Sequence, residues 1–485
     1  MKKRSLAVLL LVALLVVGCA DSNSDRPKVE SAGTSSETES VECTHGIPDG
    51  LKYDNAPFRL LSASGLWMGD RWENYDLEKM DIVQKANYDR LVAVEEKLGI
   101  KFDIILPTGV DPSDMIRRSV GAGDSEYEYI TCNANWLRNT VYEGLYLSAE
   151  DLPYVDLDKP WWGKEYIESV SINPADPTIL FGSINHLSVQ RSVATIFNTE
   201  LLDRIHHLTP DDMYEMVLDG EWTLDKFVEL CKGAYNDTNG NTIADKGDIF
   251  SLAHPNFNSV DYMAYGSGLV FTERDDNGYP SLSLNNERTV ELLEKLLMIY
   301  NDTYEVFNAG GSVECFELFG AGETMFYVER FLALEKEVIR SSDVEYGIIP
   351  VPKLDDTIED YVTPVGPLTD WGAVPITVSD PEMVSAVLEL MAYEGYLNVI
   401  PAYYEVALKL KYTRGDDLDT ASMMLDLITE NQRTDFLSVN ALGGMEQIFR
   451  KVVKSKGNTF ASTYASLEQA ANAKLAEYIK SYEGQ

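Results

Sequence analysis

One loop of the sequence has the oxygen spacing of a calcium site. Oxygen-bearing side chains stand at loop positions 1, 3, 5, 9 and 12, and position 7 offers a backbone carbonyl, as in an EF-hand-like loop. Thr242 stands where such loops have Gly, and the last position has Asp where they have a bidentate Glu. An Asn/Asp/Gly turn without metal is therefore the alternative. The six candidate ligands are Asp237, Asn239, Asn241, Ile243, Asp245 and Asp248.

No arrangement of residues in the sequence points to catalysis. Five histidines are present, and none belongs to an HExxH metal motif. The sequence also has no GxSxG nucleophile motif, no P-loop and no GxGxxG fingerprint. Carboxylates are so frequent, at 79 Asp plus Glu, that no pair stands out for glycoside cleavage. We therefore expect a protein that is not an enzyme and requires no cofactor, with structural calcium as the one candidate ion.

Aromatic and polar side chains follow several predicted strands, where open α/β sheets bind their ligands. A pyranose ring has an apolar face and a rim of hydroxyls, so it suits an aromatic platform flanked by carboxylates, amides and Arg. At each position a half-buried structural aromatic is the alternative. The candidates of this kind are Trp67, Asn135, Trp136, Tyr327, Glu329, Arg330 and Trp371.

The elements that must position these side chains alternate between short apolar runs and amphipathic helical patterns. This alternation predicts α/β domains with mainly parallel sheets. The predicted strands are 58–63, 101–106, 127–132, 179–181, 193–197, 324–328, 345–351 and 372–376. The predicted helices include 86–98, 224–234, 289–300 and Pro381–Glu394.

The N-terminus has the pattern of a secretory signal. Three positive residues precede an apolar run over residues 6–17, which is too short to span a bilayer. Residues 16–19, Val-Val-Gly-Cys, resemble the bacterial lipobox, in which the cysteine after the cut carries diacylglycerol. We expect a signal peptide over 1–18, a lipid on Cys19 and a flexible polar spacer to residue 54. An ordinary cleaved signal with an incidental cysteine is the alternative.

The charge balance excludes some partners. The chain has 40 Lys plus Arg against 79 Asp plus Glu, a net charge of −39. Such a field repels nucleic acid and anionic lipid headgroups, so we expect no nucleic-acid partner and a membrane contact through the lipid only. Acidity that keeps an exposed protein soluble is one interpretation, and a site for cationic ligands is the other. Cys43, Cys132, Cys231 and Cys315 show no CxxC spacing, and their pairing stays open.

Five motifs resemble, in order, landmarks of a known family. They are EEKLGI at 95–100, FNTELL at 197–202, WTLDKF at 222–227, GETMF at 322–326 and YGIIPVP at 346–352. Together, and behind a lipobox, they resemble the extracellular solute-binding proteins of bacterial ABC importers, family 1, which take sugars and oligosaccharides.

The resemblance implies a periplasmic-binding-protein-like fold of type II, with two α/β lobes and a hinge that the chain crosses several times. Lobe one is expected at 55–188 with 371–412, and lobe two at 189–370 with 413–485. The implied function is that of a lipid-anchored, extracytoplasmic receptor. It would capture an oligosaccharide by lobe closure and deliver it to the transmembrane subunits of an ABC permease. A monomer is expected.

The resemblance also assigns roles to the candidate residues. Trp67, Asn135 and Trp136 match contact positions of the first lobe, and the segment containing Asp261 and Tyr262 would approach the ligand from the second. The family places further second-lobe contacts where Tyr327, Glu329 and Arg330 lie, and Trp371 falls at a hinge crossing beside the cleft. The alternatives are a surface hydrolase or lyase acting on glycans, a receptor for a non-sugar solute such as a peptide, and an adhesin without a pocket.

Overall fold

The computed structural model describes the chain over nine stretches. They are 44–62, 80–107, 110–138, 140–175, 177–180, 186–301, 306–365, 369–409 and 418–483. The signal sequence, Cys19, most of the spacer and Trp67 lie outside the described residues. From His45 onward the chain belongs to one unit.

The strands alternate along the chain with helices, as the sequence predicts. They are β1 (Ala56–Ser62), β2 (Ile100–Ile105), β3 (Tyr129–Asn133), β4 (Val193–Asn198), β5 (Phe250–Pro255), β6 (Thr272–Arg274), β7 (Pro280–Leu282), β8 (Val306–Ala309), β9 (Thr324–Arg330), β10 (Tyr346–Ile349), β11 (Thr363–Pro364), β12 (Asp370–Ala373) and β13 (Gln432–Arg433). Seven of the eight predicted strands are confirmed, and the run at 179–181 contributes one isolated bridge, between Leu180 and Gly372.

The helices cover the sheets and the C-terminal region. They are α1 (Ile82–Leu98), α2 (Pro112–Ala122), α3 (Ala134–Leu137), α4 (Lys164–Val170), α5 (His186–Arg191), α6 (Thr199–His206), α7 (Pro210–Leu218), α8 (Leu224–Cys231), α9 (Asn258–Gly266), α10 (Glu287–Asn301), α11 (Ser312–Gly320), α12 (Glu337–Arg340), α13 (Pro381–Glu394), α14 (Ile400–Lys409), α15 (Leu418–Glu430), α16 (Phe436–Val439), α17 (Ile448–Lys454) and α18 (Phe460–Glu483).

Helix α1 illustrates how local chemistry sets an element's bounds. It begins four residues before the predicted start because Asp81 forms a capping box with Gln84, whose amide donates to the Asp81 carboxylate at 2.8 Å. It ends at Gly99, which adopts φ 62°, a left-handed conformation that glycine accepts without strain. The chain then enters β2 directly.

The first lobe is built on a four-stranded sheet in the order β12-β3-β1-β2. Strand β1 pairs in parallel with both β2 and β3, and β12 runs antiparallel to β3. Helices α13 and α14 pack against α1, which contacts β2. The late strand β12 therefore returns to a sheet that the N-terminal strands began.

The second lobe is built on a five-stranded sheet in the order β10-β4-β9-β5-β8. Strand β5 pairs in parallel with β8 and β9, whereas β4 runs antiparallel to β9 and β10. The two-lobed α/β architecture is confirmed, but this sheet is mixed rather than mainly parallel. All residues of β4 and β5 are buried, as expected for strands covered on both faces.

Three chain segments meet at a junction between the lobes. Ser192, just before β4, bridges to Val365, and the Gln432 side-chain amide donates to the Ser192 hydroxyl at 2.6 Å. Strands β11 and β13 pair in parallel beside this point. The chain also passes from α14, which packs on α1, to α15, which packs on β10. The junction is thus a set of hydrogen-bonded crossings, while the boundaries 188/189, 370/371 and 412/413 stay a prediction.

Among the residues that the structure describes, one continuous helical stretch, Pro381–Tyr404, is long and apolar enough to cross a membrane by length and composition alone. It comprises α13, a π-helical turn at Gly395–Val399 and the start of α14. In its most apolar window 67% of the residues are buried, and the stretch packs on α1. Because protein already covers most of this window, we interpret it as a core helix of lobe one.

Glu389 is a carboxylate that lies fully buried in α13. The indole Nε1 of Trp161 donates to its Oε1 at 3.1 Å, and that of Trp162 donates to its Oε2 at 2.7 Å. Burial raises the pKa of Glu389 from 4.5 to about 7. The folded protein therefore binds a proton on the Glu389 carboxylate more tightly than the unfolded chain does. The contribution of Glu389 to the free energy of unfolding accordingly falls as the pH rises from 4.5 to about 7.

We predict that Glu389→Ala lowers the free energy of unfolding by roughly 2–4 kcal/mol at pH 5, because it leaves two buried indole N–H groups without an acceptor. Urea denaturation followed by circular dichroism measures the loss. The deficit should shrink between pH 5 and pH 8, since the wild-type carboxylate becomes charged while buried.

The matched control is Glu96→Ala on the exposed face of α1, which should change the free energy of unfolding by less than about 0.5 kcal/mol. An unfolding midpoint for Glu389→Ala equal to that of the control would show that the Trp161–Glu389–Trp162 contacts do not stabilise lobe one.

Candidate functional site

A cleft of about 250 Å³ lies between the lobes. Its walls are formed by segments that follow strands: α3 after β3, α9 after β5, and the end of β9. These are the carboxyl ends at which open α/β sheets bind ligands. The lining residues are Asn135, Arg138, Asn258, Asp261, Tyr262, Tyr265, Arg330, Pro364, Val365, Ser438, Glu446, Gln447 and Arg450.

Lobe one contributes Asn135 and Arg138 through the short helix α3. The side chain of Asn133, the last residue of β3, accepts from the Asn135 amide at 3.1 Å and so begins the helix. Nη1 of Arg138 donates a hydrogen bond to the backbone carbonyl of Val439 at 3.1 Å. This guanidinium thus joins the lobe-one wall to α16, which lies in the C-terminal region.

Lobe two contributes the helix α9, which starts from a strained turn. Asn256 and Phe257 have φ values of 49° and 63°, which are unusual for residues other than glycine. The Phe257 amide donates to Nδ1 of His254 at 2.9 Å, and burial lowers the pKa of His254 to about 3, which keeps the imidazole neutral as an acceptor. Strain held by the surroundings is common where a fold fixes a functional side chain.

An ion pair between Asp261 and Arg450 fixes this wall. Nε of Arg450 donates to Oδ2 of Asp261 at 2.9 Å, and Nη2 donates to the same oxygen. Burial raises the pKa of Asp261 to about 6 despite the opposing effect of Arg450. The pair joins α9 to α17, two helices that also pack against each other.

Arg330 stands at the end of β9 and is held by its neighbour. Its Nε donates to Oε1 of Glu329 at 2.7 Å, and Glu329 is only 1% exposed. Glu329 therefore lies beneath the cleft and positions Arg330 rather than lining the wall. Tyr327 is also fully buried, where its ring packs beside Phe319.

The remaining predicted residues lie elsewhere. Trp136 is 38% exposed on α3, next to Asn135, but does not line the cleft. Trp371 is fully buried in β12, and its Nε1 donates to the hydroxyl of Tyr166 at 3.3 Å. The structure thus brings Asn135, Asp261, Tyr262 and Arg330 together in one cleft.

Sequence reasoning missed the C-terminal part of the wall, namely Glu446, Gln447 and Arg450. Arg450 is 189 residues from its partner Asp261, so no local pattern connects the two. The one available signal was the Gly443–Gly444 pair, a turn signature directly before this segment, and both glycines adopt positive φ.

Comparisons with solved structures identify the fold. The chain is similar to an ABC substrate-binding protein, Lmo0181, from Listeria monocytogenes in complex with cycloalternan, with a TM-score of 0.54 and 12% identity over 87% of this chain and 99% of that one. The lacto-N-biose-binding protein of Bifidobacterium longum gives a TM-score of 0.56 at 12% identity, covering 88% and 98%. MalE of Bdellovibrio bacteriovorus bound to maltotriose gives 0.53 at 12%, covering 88% and 100%.

These likenesses define the class of fold. The chain has the two-lobed architecture of ABC-transporter substrate-binding proteins, and the alignment extends over nearly the whole of each neighbour. Comparison with protein-family models gave no match, and neither did comparison with curated protein sequences. Because the identity is 12%, the likeness establishes the fold, and the function is argued below from the cleft.

The loop at residues 237–248 has one backbone feature of a calcium-binding loop, but its polar side chains form hydrogen bonds within the loop itself. Thr242, at the sixth position, has φ 63°, the conformation for which such loops have Gly. The carboxylate of Asp237 accepts the amides of Gly240 and Thr242, at 2.7 and 2.8 Å, and that of Asp248 accepts the Thr238 amide at 3.0 Å.

The side chains of this loop are likewise paired with one another. Asn239 and Asn241 donate their amide groups to the Asp245 carboxylate at 3.0 and 2.8 Å. Among the described residues no group of three or more His, Cys, Asp or Glu side chains is placed to hold a metal ion. As placed, the six residues do not form a calcium cage, and calcium stays a prediction of the sequence.

Because hydrogen bonds already satisfy this loop, we predict that removing divalent cations with EDTA leaves the unfolding temperature within about 1 °C of its original value. Differential scanning calorimetry with EDTA and then with millimolar CaCl2 measures this. A calcium-dependent rise of several degrees that disappears in Asp245→Ala would contradict this expectation and establish the metal site.

Proposed function

We propose that this protein is a lipid-anchored extracytoplasmic receptor that captures a sugar or oligosaccharide and passes it to an ABC permease. One observation carries the proposal: the cleft between the lobes is lined from both sides, by Asn135 and Arg138 on lobe one and by Asp261, Tyr262 and Arg330 on lobe two. A ligand that touches both walls favours their approach, because it binds the closed arrangement better than the open one.

The chemistry of the walls suits a polyhydroxylated ligand. Amides, carboxylates and guanidiniums are planar groups that can bond two neighbouring hydroxyls at once. Tyr262 and Tyr265 add aromatic surface for the apolar face of a sugar ring. The ligands bound in the three structural neighbours are the saccharides cycloalternan, lacto-N-biose and maltotriose, which supports the same class of ligand here.

Binding without chemical conversion is the interpretation that the structural neighbours support. Asp261 accepts two N–H donors from Arg450 on one oxygen, so the protein already engages this carboxylate. A glycosidase needs one carboxyl group that gives a proton and another that attacks or activates water. The neighbours are binding proteins, and we infer that this cleft also leaves its ligand intact.

The junction at Ser192, Val365 and Gln432 supplies the hinge for this mechanism. Short loop and strand-end segments absorb dihedral changes more easily than long helices do, and hinge closure around a ligand is a standard transition of two-lobed proteins. Energy for closure would come from contacts that both walls make with the ligand at the same time. The closed form would then dock on the permease.

We predict that Asn135→Ala and Asn258→Ala, on opposite walls, each weaken saccharide binding at least about tenfold, because each removes hydrogen bonds to the ligand from one lobe. Isothermal titration calorimetry across a panel of neutral, acidic and amino saccharides, amino acids and peptides identifies the ligand first. Small-angle scattering should show compaction when it binds.

Asn472→Ala on the exposed face of α18 is the matched control and should bind as the wild type does. If peptides or amino acids bind and no saccharide does, the sugar assignment is wrong. If the bound saccharide is recovered cleaved after incubation, the protein is an enzyme.

Anchoring is tested separately at the N-terminus. We predict that Cys19→Ser abolishes incorporation of labelled palmitate, since serine has no thiol to carry the diacylglycerol. Cys43→Ser, within the spacer, is the control and should still incorporate palmitate. Unchanged incorporation of palmitate into Cys19→Ser would exclude the lipoprotein assignment.

A further inference from the structure

The cleft contains three buried oxygens that have no hydrogen-bond partner among the described residues. They are Oδ1 of Asp261, the hydroxyl of Tyr265 and Oε2 of Glu446, and all three residues line the cleft. Asp261 itself is only 9% exposed. Buried oxygens of charged carboxylates are costly to leave without a donor, so these atoms indicate what a ligand must supply.

Packing and hydrogen bonds hold the three side chains in place. The ring of Tyr265 meets those of Phe271 and Phe449 edge-on, at centroid distances of 5.5 and 5.7 Å. Arg450 holds Oδ2 of Asp261, and the side-chain amide of Gln447 donates to Oε1 of Glu446 at 3.3 Å. In each carboxylate one oxygen is therefore engaged by the protein while the other is left for a ligand.

The charges around this part of the cleft are mainly negative. Burial raises the pKa of the Tyr265 phenol well above its usual value, and the carboxylates of Asp435, Asp261 and Glu446 raise it further. Only the guanidinium of Arg450 opposes them there. The positive groups that act on Asp261 are both on α17: Arg450, which also lines the cleft, and Lys454.

The opposite part of the cleft has a different character. Arg330 acts on Tyr262, and Arg138 is engaged with the Val439 carbonyl. Donors thus gather around Asn135, Arg138 and Arg330, and unsatisfied acceptors gather around Tyr265. A ligand that fits both parts carries a donor-rich, positively charged group at one end and acceptor oxygens at the other.

We propose that the ligand is an amino sugar, or an oligosaccharide with a free amine, whose ammonium group is bound by Asp261, Tyr265 and Glu446. An ammonium group has three N–H donors, which matches the three unsatisfied oxygens, and its charge strengthens each hydrogen bond to a carboxylate. Hydroxyls on the same saccharide would occupy the part of the cleft around Asn135 and Arg330. The strongly acidic surface of the chain, with a net charge of −39, would also favour the approach of a cation. This assignment rests on the proposed function and narrows its ligand class.

Matched pairs of saccharides test the proposal by isothermal titration calorimetry. The probes are glucosamine with glucose, galactosamine with galactose, and the β-1,4-linked glucosamine disaccharide with cellobiose. In at least one pair we expect the amine to bind at least about tenfold tighter than its hydroxyl counterpart. Equal or tighter binding of the neutral member in every pair that binds, or no binding of any amine, overturns the proposal.

Three variants test which atoms hold the amine. Asp261→Asn and Glu446→Gln should each reduce the preference for the amine at least about fivefold, and Tyr265→Phe should reduce it while keeping the ring contacts with Phe271 and Phe449. Asp276→Asn, in the exposed turn between β6 and β7, is the control. Thermal unfolding of each variant verifies that it folds, and an unchanged preference in all three folded variants contradicts the assignment.

The dependence on pH gives an independent measurement. Since the pKa of Asp261 is about 6, affinity for the amine should fall roughly tenfold between pH 7 and pH 5, as protonation removes the negative acceptor. Affinity for a neutral saccharide should change much less. If a neutral oligosaccharide binds at the cleft and no amine does, the proposed function stands and this inference fails; if no saccharide binds and peptides do, both fail.

Discussion

The ion pair between Asp261 and Arg450 is the interaction on which the candidate site depends. It joins the helix that follows β5 to a helix near the C-terminus, across 189 residues of sequence, and it places two charged groups at the same wall of the cleft. Removing one partner of a buried pair leaves the other charge without compensation, which costs more than the pair contributes. The pair therefore fixes two things at once: the packing of α9 on α17 and the position of a carboxylate whose second oxygen stays available.

The same principle, a polar side chain held by more than one hydrogen bond, recurs where distant segments meet. In lobe one, Glu389 accepts from two neighbouring indoles and so ties the loop containing Trp161 and Trp162 to α13. Elsewhere, Nη2 of Arg274 donates to the carbonyls of Glu168 and Ser171 at 2.8 and 2.7 Å, at the C-terminal end of α4. Arg330, by contrast, is held by its neighbour in sequence, Glu329. Each contact specifies an orientation that hydrophobic packing alone would leave loose.

The sequence predicts the structural features that are encoded by residues close together in the chain, and it does not predict those that depend on contacts between distant segments. Strand positions were readable because apolar runs and turns are local patterns, and Asn135 and Arg330 were found because they directly follow strands. Tyr327 and Trp371 lie within β9 and β12 and are fully buried, because a single residue of register decides which face of a strand a side chain takes. Arg450 and Glu446 were not visible, since their importance arises only when the C-terminal helices fold back against α9. The mixed second sheet was missed for the same reason, because strand direction is set by long connections.

The charge of the cleft is set by local pairing rather than by the composition of the whole chain. Three guanidiniums and two carboxylates line it, although acidic residues outnumber basic ones 79 to 40 overall. Glu329 beneath the wall neutralises Arg330, and Asp261 neutralises Arg450, so little net charge is left to attract a ligand by field alone. Beyond a Debye length of about 8 Å the acidic surface is screened by salt and influences only the approach of a ligand. Discrimination between one ligand and another must then come from buried polar atoms that have no hydrogen-bond partner within the protein. In the described part of the cleft those atoms are oxygens that can accept a hydrogen bond.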